Sequence, residues 1–455
     1  MKQIALFAFG TFIAVPVLML AADATNNVTA ANSRPVTFTH DVAPILQEKC
    51  QECHHNGAMA PMSLVTYDET RPWAKSIRQR VVARQMPPWH IDKTVGVQKF
   101  KNDMSLSDEQ INTIARWVDA GAPMGEAKDL PAPRTWPMDN AWKATKELGQ
   151  PDLVIKSEAY TMPAHGQDTW WRPTSDIGLT EARWVRAVEV RTGTAAGRKI
   201  THHAVAYLAQ NDPESLSPGV DPTSTRGYFM EWAIGKGYEL YRPDTGRLLL
   251  PGSQITWDVH LHAVGEEVRD NVELGVWLYP KGQEPKHRTI LTSFPALRGF
   301  QTSIPTKGER NVDIPPNSIA QSDNYTVLKH AALLENFQPH MHLRGKAMAV
   351  EAVLPDGTSQ MISYVGNFNF NWMTNYMYSD DAAPVLPKGT MIHVTAWYDN
   401  TKANANNPDP EQWVGFGDRT VDEMGHAWMN VTYLTDTEYD SMVTERRAKV
   451  KVAAR

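Results

Sequence analysis

Two textures of hydrophobic and polar positions alternate along this chain. The first comprises residues 36–127 and has helical periodicity. Ser107 and Gln110 form a capping pair, and Ile111, Ile114, Trp117 and Val118 then recur at the spacing that puts them on one helix face. Gly121 is the expected stop. A shorter helix is predicted just upstream of residue 50. From about residue 150 to 440 the pattern changes to short β-branched or aromatic runs between Gly, Pro, Asn and Asp turns. Trp184–Val190, Ile200–Leu208, Gln254–His262, Val272–Leu278, Phe337–His342, Ala347–Leu354, Met391–Tyr398 and Ala427–Leu434 are the clearest runs. Runs of this length and spacing predict antiparallel sandwiches. Nearly 300 residues is large for one sandwich, so two are expected, 153–290 and 291–440. The Pro-rich stretch 128–152 reads as an extended, semi-rigid linker, and the basic tail from Arg446 is expected to fray.

Composition adds few constraints. The 455 residues carry a formal net charge of −6 with 42% hydrophobic content and 15 Trp, enough apolar material for about three domains and no polyanion-binding signature. Nucleic acid is therefore not an expected partner. At the N-terminus, Lys2 precedes an apolar run from Ile4 to Leu20 and an Ala-rich zone containing Ala22-Asp23-Ala24. This has the form of a secretory signal over residues 1–24, the alternative being an uncleaved anchor. No later run is long and apolar enough to span, so a periplasmic or secreted protein without a membrane span after cleavage is expected.

The only two cysteines stand in Cys50-Gln-Glu-Cys53-His54. C-x-x-C-H is the attachment signature of a c-type haem, with two thioethers and His54 as proximal ligand. A lone disulfide is the bland alternative. Together with the flanking helices, the motif resembles the class I cytochrome c fold. Met86, in Gln85-Met86-Pro87-Pro88-Trp89, is the expected distal ligand because the prolines hold that loop extended. Met59, Met62 and Met104 are its rivals.

The β region holds His202-His203, His260-x-His262, His340-x-His342 and His426. Residues i and i+2 of a strand share a face, so each H-x-H pair can converge on one ion. Adjacent His202 and His203 need a twist or different ring nitrogens to do the same. Imidazole sets suit copper or zinc, and a neighbouring haem favours a redox metal.

Residues 336–348, Asn-Phe-Gln-Pro-His-Met-His-Leu-Arg-Gly-Lys-Ala-Met, resemble the type II copper, ascorbate-dependent monooxygenases, the peptidylglycine hydroxylating and dopamine β-monooxygenase group. The order His-His, His, H-x-H and then Asp422-Glu423-Met424 resembles the ligand order of that family. The resemblance implies two jelly-roll-like sandwiches with one copper each: His202, His203 and His260 (or His262) at an electron-transfer site, and His340, His342 and Met424 at an oxygen-binding site. It implies a copper-dependent monooxygenase that hydroxylates a C–H bond of a small organic substrate with dioxygen. Electrons would come through one covalent haem c from a donor protein or small reductant. Gln338 and Trp428 stand where peptidylglycine enzymes place the Arg and Tyr of a carboxylate clamp, so that clamp is missing and a neutral or apolar substrate is expected; Gln338, Trp428 and Arg344 are the substrate-contact expectations. The alternative is a non-catalytic haem and copper electron-transfer or copper-binding protein.

Overall fold

A computed structural model describes residues 34–58, 60–136, 141–212, 226–233, 236–297 and 313–453. The expected leader over residues 1–24 and Met59 lie outside them. The described chain is predominantly antiparallel β-sheet with a helical N-terminal unit. No described helix is long and apolar enough to cross a membrane.

The helical unit forms where the capping signals place it. Ser107 accepts from the Gln110 N–H, and Gln110 accepts back from the Ser107 N–H, opening the helix Asp108–Asp119. Its buried face, Ile111, Ile114 and Trp117, packs on Phe38, Val42 and Leu46 around the helix Ala43–Lys49, and on Ile77 and Val81 of a helix at Ala74–Val82. That third helix was not read from the sequence. Its apolar positions are few, and Arg and Lys break the stripe.

The N-terminal stretch does not end as a free-standing body. Residues 89–101 leave the helices and run along the second β unit. Asp92 N–H donates to Tyr364 O (2.8 Å), Val97 N–H to Ile362 O (2.9 Å) and Lys101 N–H to Met377 O (2.8 Å). Trp89 and Ile91 are buried in that unit's core. The stretch 128–152 is likewise docked where it is described. Trp142 meets Trp277 edge-on at 6.1 Å, and the Arg191 guanidinium lies 3.9 Å over its ring.

Every run predicted as a strand is one. Val272–Leu278 has the same bounds, and the others differ by one or two residues at their ends. They build two two-layer units. In the first, Arg183–Thr192 and Val272–Leu278 face Thr201–Ala209 and Gln254–Leu261. Val188, Val190, Leu274 and Val276 are buried against Ala204, Ala206, Ile255, Trp257 and Val259. In the second, Ala331–Leu334, Asn336–Met341 and Gly425–Leu434 face Gly345–Val353 and Met391–Asp399, with Phe337, Met429 and Val431 against Met348, Val350, Ile392 and Val394.

One long sheet is common to both units. It passes from Arg183–Thr192 through Thr245–Leu249 to His287–Pro295 and on to Gly425–Leu434. The step from Thr245–Leu249 to His287–Pro295 is parallel and the rest of this path is antiparallel. The expected division at 290/291 falls inside His287–Pro295, which pairs over Thr289–Pro295 with Gly425–Leu434. The C-terminal tail corrects another expectation, because it is helical over Asp436–Ala453 rather than frayed. Thr435 and Glu438 cap it reciprocally, and the Arg446 guanidinium donates to Ala383 O (2.6 Å) and Asp380 O (3.1 Å).

Candidate metal centre

His202 and His203 share a face because the strand bulges. Across the pair Gln254–Leu261 and Thr201–Ala209, His260 stands opposite His203 but the next residue, Leu261, stands opposite Thr201. His202 is the extra residue. A bulge kinks the strand and re-aims a side chain that the pleat would send to the other face. His202, His203 and His260 each offer a ring nitrogen, all within 4.8 Å of one another. The Nδ1 atoms of His202 and His203 are 3.0 Å apart. Two ligands on an ion at about 2.0 Å each would stand roughly 3 Å apart.

His260 is fixed from behind. Its Nε2 lies 2.9 Å from Asp168 Oδ2, and Trp170 stacks flat on its ring at 4.6 Å. Its Nδ1 is buried without a hydrogen-bond partner. A carboxylate on one ring nitrogen and an unpartnered buried second nitrogen fit a metal-ligating imidazole. This geometry selects His260 over His262 for the three-histidine group. Burial holds His202 down to about 3, reinforced by the imidazoles of His260 and His262, and puts His203 well below the usual range. The group is therefore neutral and ligand-ready at neutral pH.

The second group forms on facing strands of the second unit. His340 pairs directly with His426 across Asn336–Met341 and Gly425–Leu434, and the two rings stack at 4.7 Å. His342 Nδ1 lies 3.1 Å from the Asp422 carbonyl, which only accepts, so Nδ1 carries the hydrogen and Nε2 is left as the donor atom for an ion. His340 Nδ1 is buried without a partner. Burial lowers His342 to about 4 and His426 to about 3.

Glu423 ties this group to Met424. Its buried carboxylate accepts from the backbone N–H of His342 (2.9 Å), Arg344 (2.6 Å) and Met424 (3.3 Å). Burial pushes it up to about 8 against those donors. Met424 is thus held half-buried beside His342. Arg344 is 1% exposed, and its guanidinium donates to Asn400 Oδ1 (2.9 Å), Val421 O (2.8 Å) and Asp409 O (3.3 Å). It positions the Met424 loop rather than presenting a free cation. Gln338, fully buried, donates to Glu231 Oε2 (2.6 Å). Trp428, opposite it in register, packs edge-on against Tyr228 (4.5 Å) and His426 (5.1 Å).

The two histidine groups meet. The rings of His203 and His340 are 6.2 Å apart. Phe370 stacks on His202 at 4.7 Å and meets His342 edge-on at 6.3 Å. The two proposed ligand sets, one from each β unit, form one continuous cluster with an aromatic ring across it. Asp168, Trp170 and Phe370 were not found from the sequence, because none lies in a spaced motif with its partner.

A separate cavity of about 1800 Å³ opens between the helical unit and both β units. Cys50, Cys53, His54 and Met86 all line it, as do the rivals Met62 and Met104. His54 Nδ1 lies 3.1 Å from the Met62 carbonyl, so Nδ1 carries the hydrogen and Nε2 is left for a metal, the arrangement that orients an axial imidazole. Burial, and then Cys53, pushes the Cys50 thiol up to about 12. Two thiols, an oriented imidazole and a thioether lining one cavity fit a covalently attached haem.

No protein-family model and no curated protein matches the chain. Solved structures with some likeness include a putative α-L-fucosidase from Bacteroides ovatus (7% identity, 66% of this chain and 41% of that one, TM-score 0.17). The infectious bursal disease virus VP2 subviral particle is another (11% identity, 64% and 74%, TM-score 0.17). The PBSX exported protein XepA is a third (7% identity, 54% and 86%, TM-score 0.17). The chain spans about two fifths of the fucosidase's length, and likeness at this level carries no argument for fold or activity.

Proposed function

We propose that this chain is an exported, copper-dependent monooxygenase of the type II, ascorbate-dependent kind, fused to a class I cytochrome c-like unit. It would hydroxylate a C–H bond of a small organic substrate with dioxygen. The observation that carries this reading is the convergence of His202, His203 and His260 within 4.8 Å, beside His340 and His342 of the other β unit. Copper and haem, when bound, supply one-electron transfer and dioxygen activation. His202, His203 and His260 would hold one copper; His340, His342 and Met424 would hold the other, with the thioether favouring the cuprous state. Cys50, Cys53, His54 and Met86 would hold the haem. Asp168 and the Asp422 carbonyl orient His260 and His342, and Glu423 keeps Met424 in place. His260, His340 and His342 are buried and His202 and His203 half-buried, which limits the access of water to the ligands.

The test is dioxygen uptake by reduced, copper-loaded protein with a panel of apolar and carboxylated organic compounds, scored by hydroxylated product. Product that needs both copper and His342 supports the reading. Two coppers bound with no substrate-dependent uptake would replace it with the second reading, a haem and copper electron-transfer or copper-binding protein. A specific observation favours that alternative: Gln338, Arg344 and Trp428, the expected substrate contacts, are all buried against other protein groups.

A further inference from the structure

We infer that the turn Asn369–Trp372 is the electron bridge between the haem cavity and the histidine cluster, with Phe370 and Trp372 as its two relay side chains. The inference rests on the haem and copper reading above. Phe370 is at the cluster end, stacked at 4.7 Å and 19° on His202 and edge-on to His342. Trp372, two residues on, lines the cavity that also receives Cys50, Cys53, His54 and Met86. A tight turn connects them: Trp372 N–H donates to Asn369 O (2.9 Å) and Asn371 N–H to Asn369 Oδ1 (3.0 Å).

Both ends of this segment are pinned to elements that carry the candidate ligands. Phe368 N–H donates to Lys346 O (2.9 Å), four residues past His342. Gly345 presses against the Phe368 ring so closely that a β-carbon there would sit 2.8 Å from it, which accounts for the Gly after His-Leu-Arg. At the other end, Thr374 Oγ1 donates to Pro88 O (3.1 Å), two residues past Met86. Asn102 Nδ2 donates to Asn375 O (2.7 Å). The segment therefore holds a short route of bonds, one hydrogen bond and one ring stack from the Met86 loop to His202. Electronic coupling falls steeply with through-space distance, and a packed route of bonds and contacts shortens the gaps an electron has to cross. The step is a one-electron transfer. Ferrous haem becomes ferric, a cupric ion at His202, His203 and His260 becomes cuprous, and no bond or proton changes partner.

The experiment uses the full chain with its haem matured and copper(II) bound, held without dioxygen. One electron is delivered to the haem by flash photolysis of a ruthenium donor. Loss of the ferrous haem band and loss of the cupric paramagnetic signal are then followed together. Phe370→Leu and Trp372→Leu should each slow both signals by an order of magnitude or more, at unchanged haem and copper potentials and unchanged cupric spectrum. Trp73→Leu, on the exposed rim of the same cavity, should leave the rate alone. Wild-type rates in both bridge variants overturn the inference. Failure of the wild-type chain to show a covalent haem band or to take up copper overturns the underlying reading instead, and the two failures cannot be confused. Because Phe370 touches a ligand ring, a changed cupric spectrum in Phe370→Leu transfers the decision to Trp372→Leu. There a wild-type rate overturns the bridge and a slowed rate upholds it.

Discussion

A single carboxylate, Asp168, shows how much a residue outside every motif contributes to the site. It sits on Nε2 of His260 and leaves the buried, unpartnered Nδ1 as the nitrogen open to an ion. Losing such an outer partner ordinarily costs about 10–100-fold in metal affinity. Asp168→Asn is therefore expected to weaken copper binding by about that factor while the fold stays intact, as read by competition against a chelator of known affinity. Acid should act on the same cluster. His202, His342 and His426 have folded values of about 3, 4 and 3, below their unfolded value near 6.5. Between those limits the unfolded chain binds more protons, so their contribution is complete above pH 6.5 and is lost as pH falls toward 3. Each such proton steepens the slope by about 1.4 kcal/mol per pH unit. Glu423 has the opposite sign: its folded value of about 8 lies above 4.5, so its contribution is present in acid and is lost as pH rises from 4.5 through 8. The apo protein should be most stable near pH 6.5 and lose stability more steeply on the acid side, where three imidazoles outweigh one carboxyl. A midpoint series in urea from pH 4 to 8 checks this.

At the scale of elements, alternation and capping were legible and docking was not. The strand runs read from the sequence reappear with nearly the same bounds because each has to bury apolar side chains, in alternation along Met391–Asp399 and on both faces of Val272–Leu278 and Gly425–Leu434. The three-histidine group was legible as residue types and only partly as geometry, since the bulge at His202 that unites adjacent histidines leaves no mark in local composition. Still less visible was the arm at residues 89–101. It falls inside the 36–127 stretch expected to be the helical unit, yet Trp89, Ile91 and Phe100 pack on Tyr376, Val365 and Tyr378 far along the chain. Gly96 makes that docking possible. It has φ +70, and a β-carbon there would run into the Ile362 carbonyl. Gly96→Ala should cost about 1–3 kcal/mol and free the arm. Accelerated proteolysis between residues 92 and 100 and a lower melting temperature would register it, and an unchanged digestion pattern would show that the arm is held without this contact.

For the whole molecule, the question is what holds the two β units so that histidines from both meet. Apolar packing alone does not explain the contact, because a set of buried charges lies there. Lys236 Nζ is 2.6 Å from Glu239 and 3.4 Å from Glu231. Glu231 accepts from Gln338 of the second unit (2.6 Å). Arg247 donates to Asn430 Oδ1 (2.6 Å), and Asn430 Nδ2 donates to Glu239 (3.0 Å). The links through Gln338 and Asn430 cross between the units, two residues from His340 and four from His426. A buried ion set of this kind adds little net stability over an apolar replacement but penalises any arrangement that leaves a charge unpaired. It therefore specifies orientation. Lys236→Met removes the cation that, among the described residues, serves both carboxylates. Glu239 keeps Arg247 at 3.7 Å, whereas Glu231 is left with Gln338 alone. The expected cost is about 3–5 kcal/mol, and Lys236→Met/Glu231→Gln should recover most of it by removing the stranded charge. The same pair of variants separates orientation from stability at the metal site. The single variant should lose spin–spin coupling between two bound cupric ions as His203 and His340 separate, and the double variant should regain it. If Lys236→Met unfolds at the wild-type midpoint and keeps its coupling, the register between the units is set by the shared sheet through Thr245–Leu249 and His287–Pro295, and the buried charges only follow it.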